Sequence, residues 1–260
     1  MKKEDAVAVF DSGLGGISVL RVLREVLPNE DFIYYGDSAN APYGQRTAEN
    51  IQKLCAEVVR KLMQNGIKCV VIACNTATSA ALETLREEFP DMKFIGIEPA
   101  VSWAAAELPD PTVLTFATNF TIHGERYQNS VKALSGKGTF YGIGAPDLVT
   151  FVESGVSDRH MTGECVDYLD RLLSGIKEPV DAVVLGCTHF PFLRETIRQE
   201  ADRMTGGHAV LFDGTYLTAK ETREWLSKEG LLRERIEKGS VTLFNSDPSK
   251  AEMMKMLFEA

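Results

Sequence analysis

Two α/β domains of the doubly wound type, pseudo-symmetric and built on mostly parallel sheets, are what the sequence predicts, and three observations carry that reading. Apolar runs of strand length alternate with segments of helical period along the first third of the chain. Several runs, 6–10 and 70–73 among them, are apolar at every position, as parallel strands covered on both faces are. The third observation is a repeat. Val70-Val71-Ile72-Ala73-Cys74-Asn75-Thr76-Ala77-Thr78 ends an apolar run in a thiol beside small hydrogen-bonding residues, and Ala182-Val183-Val184-Leu185-Gly186-Cys187-Thr188-His189 does so again. With a single-residue gap, the downstream segments 82–88 and 194–200 also come into register at Glu83-Thr84 and Glu195-Thr196. Each copy reads as strand, cysteine-bearing turn and helix, and two copies facing each other would present two thiols to one active-site cleft.

Residues 6–10 form the first expected strand, which empties into Asp11-Ser12-Gly13-Leu14-Gly15-Gly16 before a helix over 17–27 closed by Pro28. Asp11 and Ser12 thus stand at a strand's carboxyl end and a helix's amino end, where open α/β sheets bind anions, although either residue could simply cap a tight turn. The glycines lack the dinucleotide spacing and no P-loop lysine follows, so a nucleotide site is not indicated. The strand 32–35 leads into a loop holding Pro42-Tyr43-Gly44, a turn that would aim an aromatic hydroxyl. Thr47 is expected to cap a helix running to Asn65-Gly66 with Cys55 on its apolar stripe, and Cys69 falls inside the next strand; both read as core.

Beyond Cys74 the expected elements are a helix over 78–89, a strand over 94–97, a domain crossover at Glu98-Pro99 and a short alanine-rich helix over 101–107. A strand over 113–116 ends in Ala117-Thr118-Asn119-Phe120-Thr121, where Thr121 is a candidate helix cap. Then come a strand over 139–143, a short helix ending at Glu153, a helix to Gly175 capped by Asp158 with Cys165 in the core, and the second cysteine segment. The closing segment, with strands at 208–212 and 241–244, is expected to return to the first domain, giving 1–98 plus 208–260 for one domain and 99–207 for the other.

In 260 residues no apolar run approaches the roughly 20 residues that a membrane helix needs, and the amino-terminal run reads as a strand rather than a signal peptide. A net charge of −9, from 28 basic against 37 acidic side chains, disfavours nucleic acid and anionic membranes as partners. An anionic substrate must then be attracted locally, by helix amino ends and backbone amides. The five cysteines are odd in number and show no zinc-like spacing, so neither a disulfide framework nor a metal site is expected, and a reducing cytoplasm fits.

One cysteine at a strand end packs well as a small hydrophobe, but two at duplicated positions suit proton exchange at a stereocentre. One group removes the proton from one face while the other delivers a proton to the opposite face. A thiol's ordinary pKa of roughly 8.5 lets either partner be brought near working pH. No lysine motif for pyridoxal phosphate is evident, so no cofactor is expected, and preorganised donors near Ser12, Cys74 and Cys187, with Asn75, Thr76 and Thr188, would have to stabilise charge at the α-carbon. Asp11 could accept from a substrate ammonium, and His189 could hold the Cys187 proton balance, although a histidine on such a turn can also be purely structural.

Asp11-Ser12-Gly13-Leu14-Gly15-Gly16, Gly36-Asp37-Ser38, Pro42-Tyr43-Gly44 with Arg46-Thr47, Cys74-Asn75-Thr76-Ala77, Ile97-Glu98-Pro99-Ala100 and Gly186-Cys187-Thr188-His189-Phe190-Pro191 together resemble the glutamate racemases of the cofactor-independent aspartate/glutamate racemase superfamily. The resemblance runs over essentially the whole chain. It implies Cys74 and Cys187 as paired acid/base catalysts, assisted by Asp11, His189 and Glu153. It further implies glutamate held by Asp11, Ser12, Tyr43, Gly44, Asn75, Thr76, Thr118, Thr121, Thr188 and His189, a homodimer, and D-glutamate made for peptidoglycan. Gly124 stands where the family usually has serine, Ala145 where it commonly has cysteine, Thr150 departs from a proline-containing run, and Asp213-Gly214 replaces a usual Asp-Ser. These departures bear on side-chain selectivity, so an aspartate racemase or related dicarboxylate isomerase is the near alternative. A non-catalytic amino-acid-binding module on the same fold is the alternative of another class.

Overall fold

The structure is a computed structural model that describes residues 1–97 and 100–259, so the expected crossover at Glu98-Pro99 lies outside the described residues. The chain divides into two compact units, Met1–Glu98 with Thr215–Ala260, and Pro99–Gly214.

The first unit is a five-stranded sheet. Its strands are β1 (Ala6–Asp11), β2 (Phe32–Gly36), β3 (Ile67–Ile72), β4 (Phe94–Gly96) and β9 (Val241–Asn245), in the order β4-β3-β1-β2-β9, and every pairing is parallel. Strands β1 and β3 are buried at every residue, which is why they read as unbroken apolar runs rather than alternating ones. The helices are α1 (Ile17–Val26), α2 (Ala48–Leu62), α3 (Asn75–Glu88), α10 (Thr215–Lys228) and α11 (Ala251–Glu259). Thr47 caps α2 by accepting the Asn50 N–H at 3.3 Å, as its position before the apolar stripe predicts. Gly66, at φ 65°, closes the turn after α2 in a left-handed conformation that a side chain would resist.

The second unit holds β5 (Thr112–Ala117), β6 (Thr139–Gly144), β7 (Ala182–Leu185) and β8 (Val210–Asp213), again all parallel, in the order β6-β5-β7-β8. Read from the other edge, that order places β5 to β8 as β1 to β4 are placed, so the duplication inferred at the cysteines extends to four strands. Its helices are α4 (Ala100–Glu107), α5 (Asn119–His123), α6 (Glu125–Ala133), α7 (Pro146–Glu153), α8 (Gly163–Leu173) and α9 (Arg194–Thr205). Cys165, Leu169 and Leu173 of α8 pack with Ile197 and Ala201 of α9 in one buried cluster.

Several sequence expectations change. The run 210–213 pairs with β7 in the second sheet, so the chain re-enters the first unit at Thr215 rather than at 208. Helix α8 starts at Gly163 with Thr162 as its cap, while Asp158 accepts the N–H groups of Glu195 and Thr196 at 3.0 and 2.9 Å and so caps the start of α9. A carboxylate serves whichever free helix end folding brings beside it. Thr118, not Thr121, caps α5, because the Thr121 N–H donates to the Thr118 hydroxyl at 3.2 Å. Helix α6 follows α5 directly through Gly124, so two helices stand where a Thr121 cap would open one.

Candidate active site

In a parallel sheet all carboxyl ends share one edge, and in the first unit that edge carries Asp11 on β1, Asp37 after β2 and Cys74 after β3. Helix α3 begins at Asn75 rather than Thr78, and Cys74 itself is its cap, with Sγ accepting the Ala77 N–H at 3.4 Å. The Cys74 thiol also reaches Ser12 Oγ at 3.4 Å. The sulfur therefore sits against the amino end of a 14-residue helix, a position that favours negative charge. Asp11 is fully buried and turns back to accept the Gly13 N–H at 2.9 Å. The Tyr34 hydroxyl donates to the Gly13 carbonyl at 2.8 Å, pinning the loop from below. Asn75 Nδ2 is buried with no partner among the described residues, a donor held ready beside the thiol. Thr76, the next residue of α3, is buried as well.

Tyr43 lies in a 3-10 turn with Gly44 and is 1% exposed, and its hydroxyl donates to Asp37 Oδ2 at 2.7 Å. Asp37 also accepts the Asn40 amide at 3.0 Å. Burial first, then the nearby Cys55, Asp37 and Cys74, raise the Tyr43 phenol far above its ordinary pKa, so it stays a neutral donor. Asp37 is not among the site residues that the sequence singles out. The Gly36-Asp37-Ser38 segment was the available signal, but only folding places that carboxylate under Tyr43.

The second unit repeats the plan with different chemistry. Strand β7 ends at Leu185 and Cys187 follows Gly186, but a 3-10 turn over Phe190–Leu193 separates the cysteine from α9. Cys187 is thus not a helix cap as Cys74 is. Its partner is a side chain: Sγ lies 3.7 Å from His189 Nδ1, and His189 Nε2 lies 2.8 Å from Glu153 Oε1 at the end of α7. Cys187 and His189 are 8% and 3% exposed, so this chain of contacts is nearly dry. Burial alone would lower the His189 pKa. Hydrogen bonds to Cys187 and Glu153 outweigh it and hold the imidazole well above the usual histidine range. Thr188 is buried beside them, and the Thr118 hydroxyl donates to Thr121 Oγ1 at 3.1 Å at the end of β5.

The candidate residues therefore fall into two sets: Asp11, Ser12, Tyr43, Gly44, Cys74, Asn75 and Thr76 in the first unit, and Thr118, Thr121, Glu153, Cys187, Thr188 and His189 in the second. The other three cysteines belong to the packing. Cys55 and Cys69 are fully buried, burial pushes the Cys69 thiol up to about 12, and burial pushes the Cys165 thiol up to about 11. Among the described residues no group of three or more His, Cys, Asp or Glu side chains is placed to hold a metal ion, and no helix is long and apolar enough to cross a membrane.

Residues 15–222 match the family model described as Asp/Glu/Hydantoin racemase. A glutamate racemase of Clostridium novyi is 40% identical over 251 residues, covering 96% of this chain and 94% of that protein. The crystal structure of glutamate racemase from Thermus thermophilus, in complex with β-chloro-D-alanine, superposes with a TM-score of 0.80 at 31% identity, covering 100% of this chain and 93% of that one. The glutamate racemase of Francisella tularensis, solved in complex with D-glutamate, gives a TM-score of 0.81 at 25% identity, covering 99% and 95%. With both cysteine turns at equivalent strand ends and a family match spanning most of its length, the chain belongs to the Asp/Glu/Hydantoin racemase family.

Proposed function

We propose that the protein interconverts L- and D-glutamate by cofactor-independent proton transfer at the α-carbon, with Cys74 and Cys187 as the two acid/base groups. The observation that carries the reading is the pair of buried cysteines after β3 and β7, strands in equivalent places of two sheets with the same order. In one direction a thiolate takes the α-proton while the opposite thiol delivers its proton to the other face. The reverse reaction exchanges the roles, and charge and protons balance at each turnover. This requires the two sulfurs to reach one α-carbon from its two sides.

Supporting groups follow from the local geometry. On the Cys187 side, His189 exchanges a proton with the sulfur through Nδ1 while Glu153 steadies the imidazolium at Nε2, a reading supported by their contacts of 3.7 and 2.8 Å. On the Cys74 side the α3 amino end, Ser12 and the free Asn75 amide supply neutral donors for a carboxylate or for charge developing at the α-carbon. Asp11 provides a buried carboxylate for the substrate ammonium, and Thr76, Thr118, Thr121, Thr188 and Gly44 complete the set of contacts. Relatives solved with D-glutamate, or with L-glutamate and UDP-MurNAc-Ala, support glutamate as the substrate. D-glutamate supply for peptidoglycan, a cytoplasmic location and a homodimer belong to the same reading.

Each enantiomer of glutamate and of aspartate is incubated with the protein in deuterated water. Deuterium enters the α-position of both glutamate enantiomers, while label entering only aspartate would move the substrate to the shorter acid. Binding without exchange would make the chain an amino-acid-binding module. Cys74→Ser and Cys187→Ser each abolish turnover with the melting temperature nearly unchanged; near wild-type turnover in either removes that thiol from the mechanism.

A further inference from the structure

At the end of α1 opposite the Asp11 loop, a basic groove lies on an otherwise acidic chain. Arg21 and Arg24, one turn apart on the same face of α1, line a groove of about 380 Å³ with Lys238, Pro28 and Phe258, against a single acid, Glu25. Lys238 comes from the segment between α10 and β9 and is held there by the Gly239 N–H, which donates to the Pro28 carbonyl at 2.8 Å. The Arg24 guanidinium lies over the Phe258 ring at 4.9 Å, which fixes its plane. The groove continues past Glu25 and Pro28 to Arg223.

The pairing of the arginines is uneven. Arg86, Arg198, Arg203, Arg233 and Arg235 each meet a carboxylate. Among the described residues, Arg21, Arg24 and Arg223 have none within ion-pair distance, although acids outnumber bases 37 to 28. Compensation of the helix dipole accounts for Arg24 in the last turn of α1 but not for Arg21 or Lys238 converging on the same space. Guanidinium forks match phosphate oxygens two at a time, and three cations around one groove exceed what a single carboxylate would balance. We propose that this groove binds a diphosphate-bearing anion, with Arg21, Arg24 and Lys238 gripping its phosphate oxygens. This site is independent of the racemase reading.

Isothermal titration of the full chain with inorganic pyrophosphate and with ADP, at low and high salt, tests it. The expected result is saturable binding with a Kd below about 1 mM that weakens as salt rises. Arg21→Gln, Arg24→Gln and Lys238→Gln each weaken binding about fivefold or more, while Lys53→Gln on α2 does not. ADP binding more tightly than pyrophosphate would assign the groove to a nucleotide-linked diphosphate, and equal binding to the diphosphate alone. Absence of saturation with both probes, or equal weakening by Lys53→Gln, overturns the site and leaves a solvated basic face.

Discussion

Replacing His189 by asparagine removes the imidazole that links Cys187 to Glu153, and the consequence can be worked from the geometry. The His189–Glu153 contact is 2.8 Å with side chains 3% and 15% exposed, so solvent screens it little. A hydrogen bond to a charged group contributes about 1.5–3 kcal/mol, and each 1.4 kcal/mol is roughly a factor of ten, so the Cys187 proton-transfer step should slow by about ten- to a hundredfold. The two enantiomers of a substrate have equal free energy, so kcat/KM must fall equally in both directions. The primary deuterium isotope effect need not behave symmetrically. It should rise for the enantiomer whose α-deuteron passes to Cys187 and fall toward unity for the other, because the slowed Cys187 step then masks the transfer to Cys74. Circular dichroism of each α-deuterated enantiomer, with thermal melting as a control for folding, reads this out. Equal rises for both enantiomers, or kcat/KM within about threefold of wild type, would refute the assignment of His189 to the Cys187 side.

The same histidine makes stability depend on pH. Its folded-state pKa is raised above the unfolded value, so the stabilisation is fully present below about pH 6.5 and is lost as pH rises through the raised value. Urea midpoints of the wild type and His189→Asn should therefore converge with rising pH, and divergence would contradict the sign. Lys68→Met strips the partner from Glu30 in an ion pair whose side chains are 0% and 2% exposed, and should cost about 3–5 kcal/mol by chemical denaturation. Lys68 lies near the start of β3, away from the Cys74 end, so kcat/KM of the folded fraction should hold; a comparable fall in kcat/KM would argue against that separation. Gly36→Ala would put a Cβ 2.5 Å from the Gly13 carbonyl and 2.9 Å from Asn245 Nδ2, forcing the Asp11 loop to shift. Displaced by even a fraction of an ångström, that loop should lose about tenfold or more in kcat/KM, and unchanged kinetics would mean that the loop does not position substrate.

Local pattern made much of the architecture readable. Buried parallel strands such as β1 and β3 must be apolar at every residue, and a threonine before an apolar helical stripe must cap it, so Thr47 and the strands were visible without coordinates. The doubled cysteine turn is visible for the same reason, since the strand end and the thiol lie within a few residues of each other in each copy. Where two roles lay within a few residues, the sequence did not discriminate: Thr118 and Thr121 are equally good caps, and the backbone path through α5 selects the first.

The sequence by itself determined two parallel α/β units, each ending a central strand in a cysteine, because those features are written in contiguous residues with a fixed period. Tertiary structure decided which distant groups serve them. His189 and Glu153 are 36 residues apart. Asp158 caps a helix that begins beyond β7, the run 210–213 joins the second sheet, and Asp37 reaches under Tyr43. Each of these depends on which loops the parallel strands bring to a common edge, and a charged side chain takes the nearest unsatisfied donor there whatever its distance in sequence.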